Sequence, residues 1–218
     1  MTVILLVLLI GALHAQSQID RAFDEKHARE KVFPLSAAAY SDEPQKCVDN
    51  KNLGEVDKFL SSSCGDPLDI TCAVFTGVSH RDNAVYIAFR GTVGYEELTW
   101  EVIATLLESK VTFTGGGAVS RFVNDAFNSL WDQGLHESVV RLTTQYPRYD
   151  VWVTGHSLGG ALASYCAAFL AAYGLVQSEQ LHLYTFGQPR TGNKHYARTA
   201  ERLVLLAYLT PFCTNIRP

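Results

Sequence analysis

The chain has 218 residues with 18 basic and 22 acidic side chains, a formal net charge of −4, and 47% apolar residues. That length suits one domain with a sizeable core, and 18% charged residues is too few for wholesale disorder. A mildly acidic chain without a basic stripe is not expected to bind nucleic acid, and no apolar run reaches the roughly 18–20 residues that span a bilayer.

Residues 2–13 are almost wholly apolar, Gly11, Ala12 and Ala15 are small, and polar Gln16-Ser17-Gln18 follows at once. This is the pattern of a secretion signal cleaved after Ala15, although its start carries no Lys or Arg. The competing readings are a short membrane anchor or a buried N-terminal strand. On the first reading, residues 1–15 are a signal peptide and residues 16–218 form a single secreted domain with no stable transmembrane anchor.

Residues 20–31 carry four acids and four bases, and Glu25 with Arg29 has the favourable i,i+4 order, so a solvated helix is expected. Pro34 opens a second, small-residue helix through Ala37 to Tyr40, which Asp42, Glu43 and Pro44 end. There are five cysteines. Cys64 and Cys72 flank Gly65, Asp66 and Pro67, a good place for a disulfide in a secreted protein. Cys47 could pair with Cys213, although these four cysteines allow three connectivities. Cys166 lies in an all-apolar stretch and reads as a buried free thiol. No spacing resembles a zinc site, so neither a metal nor a cofactor is expected.

Residues 72–79 and 84–90 read as a hairpin around the turn formers at 80–83, the second strand apolar enough to be covered on both faces. Apolar residues at helical spacing predict a helix over 122–146, stopped by Pro147. A strand at 151–153, a helix over 158–173 capped by Gly174, and a strand at 181–186 complete an α/β pattern with a mostly parallel sheet.

The most informative residues are Gly155-His156-Ser157-Leu158-Gly159, followed by Gly160. A serine between two glycines, with a buried strand before it and a helix after it, is the nucleophile elbow. The sharp turn needs neighbours without a Cβ, and it raises the hydroxyl onto a helix N-terminus. There the N–H of Leu158 can receive a developing oxyanion. Phe89-Arg90-Gly91-Thr92 closes an earlier strand and fits the loop that supplies a second donor. Thr92 is equally suited to be a helix N-cap, and the two readings are compatible.

With FRGT at 89–92, VTGHSLGG at 153–160 and YTFGQPRTGN at 184–193, the chain resembles the class 3 lipases, the fungal-lipase-like α/β-hydrolases. Its N-terminal half and cysteines look most like the secreted nematode members, and the resemblance covers roughly Lys31 to Asn193. It implies an α/β-hydrolase fold and hydrolysis of acylglycerols or other lipid esters at a lipid–water interface. Ser157 would be the nucleophile, and Thr92 and Leu158 the oxyanion residues. It also implies an amphipathic lid after FRGT. Tyr95, Leu98, Val102 and Leu106 would line one helical face and Trp100, Ile103 and Leu107 another, with Gly115-Gly116-Gly117 as a hinge. An ordinary core helix is the competing reading.

In this family the triad runs Ser, Asp, His along the chain. Here no Asp follows Asp150, and the acids beyond Ser157 are Glu179 and Glu201. The histidines beyond Ser157 are His182, expected to pack on the sheet, and His195, where the family has neither acid nor base. His156 precedes Ser157 by one residue and is expected to point elsewhere. The triad acid and base are therefore not found. The chain is expected to be diverted or truncated after about Leu203, to lack the final strands of the sheet, and to be a weak or inactive hydrolase. Two other functions stay open: a catalytically silent lipid-binding protein, and an esterase for small esters.

Overall fold

The computed structural model describes residues 24–64, 71–92 and 108–210. The expected signal, the lid positions, Gly65-Asp66-Pro67 and Cys213 lie outside the described residues.

The chain enters through α1, a helical run over 25–38 whose ends, Glu25–His27 and Phe33–Ala38, are α-helical and whose middle, Ala28–Val32, is a π turn. The two helices expected from the sequence are thus one. Pro34 offers no N–H to the carbonyl four residues back and its ring crowds that carbonyl, so the helix widens by one residue just before it instead of stopping. Arg29 and Glu25 do pair, at 2.8 Å and well exposed. Pro44 does not merely end a helix: it sits in the first turn of a second one, α2 (Pro44–Lys51), where its missing N–H costs nothing.

Strands β1 (Glu55–Ser63), β2 (Thr71–Ser79) and β3 (Ala84–Phe89) form an antiparallel meander. The β2–β3 turn is the expected one, with Asn83 supplying a left-handed residue at φ 50°. A small hairpin, β4 (Lys110–Thr112) and β5 (Ala118–Ser120), leads into α3, which covers 121–145. Then follow β6 (Asp150–His156), α4 (Leu158–Ala172), β7 (Leu181–Phe186), α5 (Lys194–Leu203) and β8 (Leu206–Thr210). The large sheet runs β1-β2-β3-β6-β7-β8, and β3, β6, β7 and β8 are parallel. Residues 206–210, past the point where the sequence pattern becomes unfamiliar, therefore still extend the sheet by one parallel strand.

Alternation along β3 builds two cores at once. Val85, Ile87 and Phe89 face the helices α3 and α4, whereas Ala84, Tyr86 and Ala88 face α1 and α2. Phe127, fully buried on α3, stacks on Trp131 and meets Tyr165 and Phe169 edge-on or tilted. Truncating such a side chain costs about 3–5 kcal/mol. α4 is apolar all round because it is sandwiched, and Cys166 on it is fully buried with burial pushing its thiol well up. The Cys64–Cys72 disulfide is formed, with the Cα atoms 5.5 Å apart.

Candidate active site

β6 ends at His156, and Ser157 is the single residue between it and α4. Its backbone, φ 55° and ψ −125°, lies in a region that a side chain with a Cβ rarely adopts. Local bonds hold it there: the Ser157 N–H donates to the Phe186 carbonyl at 2.9 Å, and the Ser157 carbonyl accepts from Gly160 at 2.9 Å. The half-buried side chain stands at the C-terminal end of a central parallel strand, over the N-terminus of a helix. Ligands bind at that end of open α/β sheets.

The flanking glycines explain why the turn closes. A Cβ on Gly155 would land 2.2 Å from the Gly159 carbonyl oxygen. One on Gly159 would land 2.5 Å from the Phe89 carbonyl and 2.8 Å from the Gly91 nitrogen. Gly159 therefore lets the first turn of α4 rest on the end of β3, and Arg90 and Gly91 come to lie against the elbow. Leu158, the first residue of α4, has no carbonyl one turn back for its N–H. The Thr92 hydroxyl is buried and without a partner among the described residues.

The 89–92 segment is anchored from behind. Arg90 is buried, its guanidinium donating to the Thr71 carbonyl at 3.0 Å and the Thr71 hydroxyl at 2.7 Å. Thr71 precedes disulfide-bonded Cys72. The third motif also meets the elbow. The Gln188 Cβ lies 3.2 Å from the place of a Cβ on Gly160, and Ser120 donates to the Thr191 carbonyl at 2.8 Å. Residues 187–193 thus tie α4 to the β4–β5 hairpin. Gly115-Gly116-Gly117 forms the turn of that hairpin, closed by Gly116 N–H to the Phe113 carbonyl at 2.9 Å and set against Tyr196 of α5. The expected hinge thus falls in a turn packed against α5.

The histidines from residue 156 onward fall in three places. His182 lies opposite Trp152 in the sheet, five residues and about 16 Å of strand before Ser157. Its Nε2 is 3.5 Å from Asp150, at the far end of the sheet. His195 is exposed on α5, beside the Gly116 turn. His156 turns to the α1 side, where its Nδ1 lies 2.8 Å from the Tyr40 hydroxyl. Burial pushes its imidazole below the usual histidine range. Tyr40 is the residue that sequence reasoning missed. Its partner is 116 positions away, and no local spacing links the two.

Comparison with known proteins follows the same motifs. Residues 86–211, more than half of the chain, match the family described as Lipase (class 3). A lipase of Caenorhabditis elegans is 34% identical over 206 residues, covering 91% of this chain and 56% of that protein. A lipase of Rhizomucor miehei is 36% identical over 131 residues, covering 59% of this chain and 34% of that one. Among solved structures, a triacylglycerol lipase with a serine protease triad at its catalytic centre superposes with a TM-score of 0.67 at 27% identity, covering 87% of this chain and 72% of that one. The chain thus spans about half of the nematode relative's length and a third of the fungal one's. With the elbow, the FRGT loop and the parallel sheet placed as they are in this fold, the chain belongs to the class 3 lipase family.

Proposed function

We propose that the protein is a secreted serine ester hydrolase acting on acylglycerol-like lipid esters. The observation that carries this reading is Ser157, held in a strained turn over the N-terminus of α4 with the Thr92 segment pressed against that turn. In the reaction, Ser157 Oγ attacks the ester carbonyl carbon, and the carbonyl electron pair moves onto oxygen. The N–H groups of Leu158 and Thr92 receive that charge. The alcohol leaves with a proton, and water then hydrolyses the acyl-serine. The disulfide supports an oxidising compartment, and no helix among the described residues is long and apolar enough to cross a membrane.

The proton of Ser157 needs an acceptor. His182, near the opposite end of the sheet, is poorly placed for it, and His195 lies beside the Gly116 turn. We infer that the described residues do not by themselves complete the triad, and that with these residues alone water takes the proton and the serine reacts slowly. That same feature favours the second reading, a silent lipid-binding protein. Incubation with a fluorophosphonate, followed by peptide mass mapping, separates the two. The expected result is slow, stoichiometric modification of Ser157 that Ser157→Ala abolishes. Modification spread over other serines, or none after a day, would overturn the hydrolase reading.

A further inference from the structure

Two oxyanion donors on separate segments are useful only if the segments keep their spacing, and catalytic groups generally need to be held to within about 0.5 Å. Leu158 belongs to the elbow, and Thr92 to the loop after β3. Between them, on the α1 side, stands Tyr40, in the turn that follows α1, where its own N–H bonds to the Ala37 carbonyl at 3.1 Å. Tyr40 is partly exposed. Its hydroxyl oxygen is 2.8 Å from His156 Nδ1, on the residue before Ser157. Gly91, the residue before Thr92, packs against the same oxygen. A Cβ on Gly91 would fall 2.3 Å from the Tyr40 oxygen and 2.7 Å from the His156 carbonyl, so the three segments meet with no room to spare.

We propose that Tyr40 is a positioning residue of the oxyanion site: its hydroxyl bridges the elbow at His156 and the oxyanion loop at Gly91, and so fixes the distance between the Leu158 and Thr92 donors. The inference rests on the hydrolase reading of Ser157, because a fixed donor spacing matters only where an oxyanion forms. The bridge is consistent in its protons. With a neutral imidazole, the phenolic O–H donates to Nδ1 while the oxygen abuts Gly91. Burial keeps both groups in those neutral forms, raising the Tyr40 phenol and lowering the His156 imidazole. Tyr40 touches neither the serine nor, in this account, the substrate; it acts through the two segments it joins.

The test compares wild type with Tyr40→Phe, His156→Leu, His156→Asn and the Tyr40→Phe/His156→Leu double variant, with two readouts on each. One is hydrogen exchange at the Gly91 and Thr92 amides. The other is the concentration dependence of Ser157 modification by the fluorophosphonate. Tyr40→Phe keeps the ring and loses only the hydroxyl. It should speed exchange at both amides about tenfold and slow the limiting modification rate about tenfold, a loss on the scale of one hydrogen bond, with half-saturation unchanged. His156→Leu should do the same, and the double variant should be no worse than either single one, because both cut one bridge. His156→Asn, which places an amide near the Nδ1 position, should recover most of the rate that His156→Leu loses. Unchanged exchange in Tyr40→Phe, or faster exchange with an unchanged modification rate, overturns the proposal. Wild-type Ser157 that takes no label sinks the hydrolase reading instead, and the exchange comparison still decides whether Tyr40 holds the loop.

Discussion

Gly159 and Gly160 are neighbours in the first turn of α4, yet they meet different surroundings. A Cβ on Gly159 runs into backbone, 2.5 Å from the Phe89 carbonyl, while one on Gly160 comes no nearer than 3.2 Å, to the Gln188 side chain and the Gly155 carbonyl. Helix propensity changes equally in the two alanine variants, so their difference isolates the contact between α4 and the end of β3. Gly159→Ala should cost about 1–3 kcal/mol as an overpacked site, a fall in Tm of roughly 3–10 °C, and it should also slow Ser157 modification. Gly160→Ala should lose clearly less of both. Equal losses, read by thermal melts and labelling side by side, would show that the β3 contact is not what Gly159 protects. At this scale the sequence is legible wherever the chemistry is local. Ser157 and its glycines announce themselves within five residues. Tyr40 does not, because its hydroxyl acquires meaning only when α1 is laid across the end of the sheet.

Between residues and the fold stand the elements that hold the 89–92 segment. β2 begins at Thr71, which accepts twice from Arg90, and the disulfide joins the next residue, Cys72, to Cys64 at the end of β1. Closing a loop with a sequence separation of 8 contributes about 2–3 kcal/mol in the chain-entropy account. A Cys64→Ser/Cys72→Ser variant should therefore melt roughly 5–10 °C lower while retaining the same far-ultraviolet circular dichroism. An unchanged Tm would mean that β1 and β2 hold Thr71 unaided. β1 itself was hard to read, since Asp57 and Lys58 interrupt its alternation. In the fold they fall at a bulge of the register between Val56 and Lys58. Burial raises the Asp57 carboxyl, but bonds from Arg141, Ser138 and Thr76 outweigh it and hold the group below the usual carboxylate range. The helix expected over 122–146 is interrupted for a comparable reason. Gly134, at φ 123°, takes a conformation open to glycine, and its carbonyl accepts from Lys58. Apolar periodicity reports the buried face of a helix and is blind to such a kink.

Across the whole molecule, both cores and the strand order follow from β3 and β6 being apolar on both faces, which is why the fold class could be anticipated from short runs such as Val151-Trp152-Val153. Residues 194–210 were not anticipated, because an amphipathic helix such as α5 and a short edge strand leave weaker signatures than an elbow. The chain holds Ser157 in the elbow turn and packs the end of β3 against the first turn of α4, while His182 lies near the opposite end of the sheet. The central proposal is that Ser157 is the nucleophile of an ester-hydrolysing site and that the described residues supply it with no proton acceptor. It is tested most directly by the turnover of the 218-residue chain on a p-nitrophenyl ester and on emulsified triacylglycerol, beside the Caenorhabditis elegans relative. The account predicts a rate roughly 10⁴- to 10⁶-fold below the relative's, abolished by Ser157→Ala. Turnover within about tenfold of the relative's would contradict it, and His195→Ala would then be the variant to make.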